Sequence, residues 1–160
     1  MKQHQELARS LLDSCTANHL KIATAESCTG GWVAKILTDL PGSSAIFDRG
    51  FVTYSNEAKM DMLDVPMQTI EQWGAVSQQT VMAMTLGALT NSRAQLAVAI
   101  SGIAGPSGAS PRKPVGTVWF AWQRQGQQAQ TAIQRFYGDR DSVRSQAVTT
   151  ALRGLLELSV

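Results

Sequence analysis

Lys21-Ile22-Ala23-Thr24-Ala25-Glu26-Ser27-Cys28-Thr29-Gly30-Gly31 decides how this chain folds, because a short apolar run, Lys21 to Ala25, passes directly into residues that open a helix. A strand feeding a helix through a tight turn is the elementary unit of an α/β protein. The turn also has chemistry available. The first amides of a helix lack internal partners and the macrodipole leaves partial positive charge there, so a hydroxyl at Ser27 or Thr29 stands where an anion or a developing oxyanion can be received. Gly30 and Gly31 let a substrate approach the backbone closely. The alternative is that Ser27 or Thr29 simply caps the helix.

On the C-terminal side, a helix from about Gly30 to Leu40 buries Val33, Ile36 and Leu37 and stops at Pro41-Gly42. Ile46 to Tyr54 reads as a second strand, and Ser55 caps a short helix from Asn56 to Leu63, which puts Tyr54 and Lys59 at a strand-to-helix junction. A helical turn covers Thr69 to Trp73, and Ser77 caps a long helix, Gln78 to Asn91, whose methionines fill core space. Leu96 to Ile100 is continuously apolar, as expected of a strand covered on both faces, and delivers Ser101 into a glycine-rich loop beginning at Gly102. Val115 to Trp122 and Ala129 to Tyr137 follow as an antiparallel pair, and the last helix spans about Asp141 to Leu158. On the N-terminal side, Leu7, Leu11, Leu12 and Cys15 repeat at helical spacing within Gln3 to Asn18. The alternation predicts one domain over residues 1–160, a three-layer α/β/α sandwich with a mixed, mostly parallel sheet.

Composition narrows the functional classes. With 160 residues, 44% apolar and 16% charged, the chain suits a single globular domain. A net charge of +2, without a basic run or an aromatic stacking platform, argues against a nucleic-acid partner. No apolar stretch approaches the roughly 20 residues that span a bilayer, so no membrane role is expected and a cytoplasmic location is. Two cysteines, Cys15 and Cys28, and two histidines, His4 and His19, can build neither a disulfide framework nor a four-ligand zinc site. Neither metal nor cofactor is expected.

The loop glycines at 102, 105 and 108 fit neither the dinucleotide fingerprint nor a P-loop. They can still offer amides to a phosphate or carboxylate, with a plain mobile connection as the alternative. Neither histidine lies in a loop after a strand, so a serine nucleophile must find another base. The candidates are Lys59, Glu26, Asp139 and Asp141, and Lys59 fits best if neutral. Lowering its pKa to near neutrality requires burial or like charge costing about 4 kcal/mol. Cys28 offers a thiol at the same turn, or is only a small buried residue.

The motifs Ala25-Glu26-Ser27-Cys28-Thr29-Gly30-Gly31, Pro41-Gly42-Ser43-Ser44, Gly50-Phe51-Val52-Thr53-Tyr54-Ser55-Asn56-Glu57-Ala58-Lys59, Gly74-Ala75-Val76-Ser77, Ser101-Gly102-Ile103-Ala104-Gly105-Pro106 and Lys113-Pro114-Val115-Gly116-Thr117-Val118 occur in this order. From about residue 5 to residue 157 the chain resembles the CinA C-terminal domain family, in its stand-alone form rather than fused to a molybdopterin-binding-like domain. The resemblance implies hydrolysis of the nicotinamide mononucleotide carboxamide to nicotinate mononucleotide and ammonia, in pyridine nucleotide recycling, by a homodimer. It makes Ser27 the nucleophile, Lys59 its base and Tyr54 an assistant. Ser44, Ser101, Gly102 and Arg140 would surround the substrate, and Thr29 and Gly30 would line the reacting carboxamide.

One departure stands out. Ala109 follows Gly108 where many relatives have a second glycine, so a positive φ there would be strained and substrate capture weakened. Two other readings stay open: a catalytically weak or inactive paralogue acting as a nucleotide-binding regulatory module, and a hydrolase of another small amide.

Overall fold

The computed structural model describes residues 2–160. Helix α1, Lys2–Ala17, leads into β1, Ile22–Glu26, then α2, Trp32–Thr38, a 3₁₀ turn, Ser43–Ala45, and β2, Phe47–Val52. Helices α3, Asn56–Leu63, α4, Met67–Trp73, and α5, Gln78–Thr90, follow. The chain ends with β3, Leu96–Gly102, β4, Thr117–Arg124, β5, Gln130–Arg135, and α6, Arg140–Leu158.

The five strands form one sheet in the order β2-β1-β3-β4-β5. β1 pairs in parallel with β2 and β3, whereas β4 runs antiparallel to both its neighbours, so four strands share a direction and β4 opposes them. The expected mixed sandwich is the observed fold. Leu96 to Ser101 on β3 are all buried. One face packs Leu11, Val33, Ile36, Val148 and Leu152 from α1, α2 and α6 against Ile22, Val98 and Phe120. The other packs Leu63, Val81 and Met84 from α3 and α5 against Ala23, Ala25, Ala97 and Ala99. Large side chains on one sheet face and alanines on the other let α5 lie close; burying a large aliphatic side chain contributes about 1.5–3 kcal/mol. No helix among the described residues is long and apolar enough to cross a membrane.

Local chemistry explains most element ends. Ser55 and Ser77 cap α3 and α5, accepting from the Ala58 and Thr80 amides. Helix α2 starts later than periodicity predicts because Gly30 and Gly31 take φ of 59° and 100°, outside helical geometry. β4 likewise begins late, after a turn at Gly116 with φ 91°, where a Cβ would strike the Phe136 carbonyl. Gly87 brings α5 against the last residue of α3, since a Cβ there would strike the Leu63 carbonyl. Ala109 is not among the residues with positive φ, so the strain anticipated for it does not arise.

Candidate active site

Strands β2, β1 and β3 run parallel, so their carboxyl ends share one edge of the sheet. The connection leaves β1 toward β2 and later returns to β3 on the other side, which opens a crevice at the β1–β3 carboxyl ends. Ser27 follows β1 there, its amide bonded to the Ile100 carbonyl at 3.0 Å, and Ser101 and Gly102 end the neighbouring β3. From the other side, the Thr53 amide donates to the Glu26 carbonyl at 2.9 Å, which fixes the segment leading into α3 and Lys59.

A cavity of about 290 Å³ fills this crevice, lined by Ser27, Tyr54, Lys59, Ser101, Gly102 and Arg140 among others. The structure therefore gathers six of the expected site residues. Lys59 is buried, only 1% exposed, with Nζ 3.0 Å from Ser27 Oγ, 2.9 Å from the Thr53 carbonyl oxygen and 3.4 Å from that of Tyr54. Among the described residues no carboxylate pairs with it. Burial holds the amine below the ordinary lysine range, against a smaller opposing pull from Cys28. Lys59 Nζ donates to the Ser27 hydroxyl and to both carbonyls; on losing one proton it would keep two N–H groups for the carbonyls and turn a lone pair toward Ser27 Oγ.

Burial pushes the Cys28 thiol up to about 11, so the rival nucleophile stays protonated at neutral pH. Tyr54 is 62% exposed, and its hydroxyl accepts from Arg140 Nη2 at 3.1 Å. Arg140 opens α6 behind the Asp139 cap and also donates to the Gly105 carbonyl at 2.8 Å, tying the 103–116 loop to the site. It makes no ion pair with Asp139 or Asp141.

Three expectations fall elsewhere. Thr29 and Gly30 line a separate cavity of about 540 Å³, beside Trp32 and Arg144, on the α1 and α6 side of the Ser27 turn. Ser44, exposed in the 3₁₀ turn, precedes β2 and so lies near its amino end, opposite the Ser27 edge of the sheet. Neither Ser27 nor Thr29 caps α2. That role belongs to the buried Glu26, whose carboxylate oxygens accept from the Val33 and Ala34 amides at 2.9 and 3.0 Å. The α2 amides are thereby closed to an oxyanion, and only turn amides remain for one. Glu26→Ala strands two amides and is expected to destabilise the fold by about 2 kcal/mol in urea unfolding; an unchanged midpoint would leave the cap without energetic weight. Asn56, Ala75, Val76 and Ser107 also line the Ser27 cavity; nothing in their spacing marks them.

The family model of the CinA C-terminal domain matches residues 4–159. The chain belongs to this family. Among CinA-domain relatives, the "Nicotinamide-nucleotide amidohydrolase PncC" of Escherichia coli (strain K12) is 53% identical over 150 residues, covering 94% of this chain and 91% of that protein. The protein of the same name from Pseudomonas putida is 51% identical over 152 residues, covering 95% and 94%. The crystal structure of the competence/damage inducible protein CihA from Agrobacterium tumefaciens superposes with a TM-score of 0.95 at 48% identity, covering 99% of this chain and 96% of that one.

Proposed function

We propose that this CinA-domain protein hydrolyses the carboxamide of nicotinamide mononucleotide to nicotinate mononucleotide and ammonia. The observation that carries the reading is the 3.0 Å approach of a desolvated, unpaired lysine amine to a serine hydroxyl at the carboxyl edge of the sheet. It stands in a chain half identical to proteins named nicotinamide-nucleotide amidohydrolase.

Ser27 Oγ attacks the carboxamide carbon as its proton passes to Lys59 Nζ, and negative charge develops on the carboxamide oxygen. Lys59 then gives that proton to the departing nitrogen, the C–N bond breaks and ammonia leaves. Water attacks the resulting ester, Lys59 takes its proton and returns one to Ser27, and the acid is released. Tyr54 orients Arg140, and Arg140 receives the substrate phosphate; Ser101 and Gly102 bound the ring. A cytoplasmic homodimer engaged in pyridine nucleotide recycling belongs to the same proposal.

The deciding experiment is ammonia release from the mononucleotide, its riboside and free nicotinamide. Activity on the mononucleotide alone supports the reading; equal activity on all three marks a general small-amide hydrolase, and none marks a binding module. Arg140 refines the test, since a charge-assisted phosphate contact contributes about 1.5–3 kcal/mol. Arg140→Ala is expected to lower kcat/KM for the mononucleotide by about 10- to 100-fold and leave the riboside nearly unaffected. Equal losses on both substrates would remove the phosphate role.

A further inference from the structure

Arg144 stands outside the Ser27 cavity yet grips the turn that carries the nucleophile. Its Nε donates to the Cys28 carbonyl at 3.0 Å and its Nη2 to the Thr29 carbonyl at 3.4 Å, while the guanidinium carbon lies 5.6 Å from the centre of the Trp32 ring. In a trans peptide the carbonyl and the following N–H point in opposite directions. Drawing the Cys28 carbonyl toward α6 therefore turns the Thr29 N–H away from α6. The Ser27 carbonyl is held in turn by the Gly30 amide at 3.1 Å, which fixes the plane that carries the Cys28 N–H. Ser27's own amide is engaged by Ile100, and the α2 amides by Glu26. Among the described residues, the Cys28 and Thr29 amides donate to no other residue.

We propose that Arg144 is a positioning residue for the amide hydrolysis. It holds the Cys28 and Thr29 peptide planes so that their two successive amides meet the oxyanion formed on the substrate carboxamide. This rests on the reading of Ser27 as the nucleophile. A fork of donors suits the task, because its rigid plane fixes the directions of both N–H bonds to the two carbonyls at once, whereas an ammonium on a flexible stem leaves them free to turn. Arg144 also lines the 540 Å³ cavity with Trp32 and Lys35, so truncation leaves a space that solution ions can reach.

The test compares wild type, Arg144→Ala and Arg144→Lys in two reactions. The first is ammonia release from the mononucleotide. The second is sulfonylation by phenylmethanesulfonyl fluoride, followed by intact mass: Ser27 Oγ bonds to sulfur, the S–F bond breaks, fluoride leaves and the hydroxyl proton passes to Lys59. Loss of ordered oxyanion donors is expected to lower kcat by about 10- to 100-fold in Arg144→Ala with KM within about twofold, and to slow sulfonylation similarly. Arg144→Lys should recover little of either. Millimolar guanidinium should restore part of both rates in Arg144→Ala and none in Arg144→Lys, whose side chain fills the space.

Unchanged kcat and labelling rates would overturn the proposal, as would a loss that follows a lowered melting temperature and is not rescued by guanidinium. That second pattern is what a purely structural brace on Trp32 produces. A wild type that is labelled at Ser27 but releases no ammonia overturns the substrate reading alone, and the labelling rates still decide the role of Arg144. A wild type that resists labelling removes the nucleophile, and this role of Arg144 falls with it.

Discussion

Ser27→Ala is expected to eliminate ammonia release, by about 10⁴-fold or more, while the folded state is retained. The side chain is small, 8% exposed, and its hydroxyl contacts Lys59 Nζ. Removing it leaves Lys59 with the Thr53 and Tyr54 carbonyls, so the buried amine keeps two acceptors and the core loses one atom. Cys28→Ala should stay active, because a thiol with a pKa of about 11 is not a nucleophile at neutral pH. Assaying both variants beside thermal melts decides the matter. The reverse pattern, with Ser27→Ala active and Cys28→Ala dead, would move the reaction to sulfur.

The second large effect belongs to Lys59. Lys59→Ala should lower kcat by at least about 10²-fold, the usual scale for a lost general base. Lys59→Arg should not restore it, because a guanidinium stays protonated and its plane does not fit a pocket shaped for one amine. The lowered pKa also fixes the sign of the pH dependence. Activity should rise with pH as Lys59 loses its proton, with a midpoint below the ordinary lysine value of 10.5.

Stability follows the same proton. Between the folded pKa and 10.5 the unfolded chain binds a proton that the folded chain does not, so stability rises with pH across that window. Below the folded pKa, the penalty of charging the buried amine is fully present. Lys59→Met should therefore lose the rise and gain stability at low pH relative to wild type. Parallel pH profiles for the two proteins, with Lys59→Met following the wild-type curve throughout, would mean that burial does not perturb the amine.

The layers and the principal elements were legible because their signals are local: helical spacing, serine caps before α3 and α5, and an unbroken apolar run at β3. The Ser27–Lys59 pairing was legible through the elimination of the histidines and the order of motifs, not through spacing, since 32 residues separate the two and no spacing rule joins a strand end to a later helix. Thr29 and Gly30 line the other cavity because the turn has two sides, and sequence does not say which atoms of it face the crevice. Ser44 was misplaced for a topological reason, as a motif before β2 lies at the opposite end from one after β1. Sequence offers Glu26 as a possible base and not as a cap because its partners, Val33 and Ala34, lie beyond the two glycines that delay the helix. Arg144 carried no signal at all, since a lone arginine on a polar helix face resembles any solvated residue.

The contact between Gly87 and the Leu63 carbonyl bears on where the base can reach. Leu63 is the last residue of α3, and Lys59 stands one helical turn before it. The long lysine side chain is a boom of fixed length whose pivot is α3, and the pivot is seated by a hydrogen atom on α5. A larger group at position 87 would strike the Leu63 carbonyl, so α3 or α5 must shift to admit it, and a shift of α3 carries the amine with it though nothing in the cavity has been altered. In this chain the reach of the amine is therefore set in part at a position that does not line the cavity. A descendant that exchanged this glycine would carry an intact set of reacting groups set at the wrong separation.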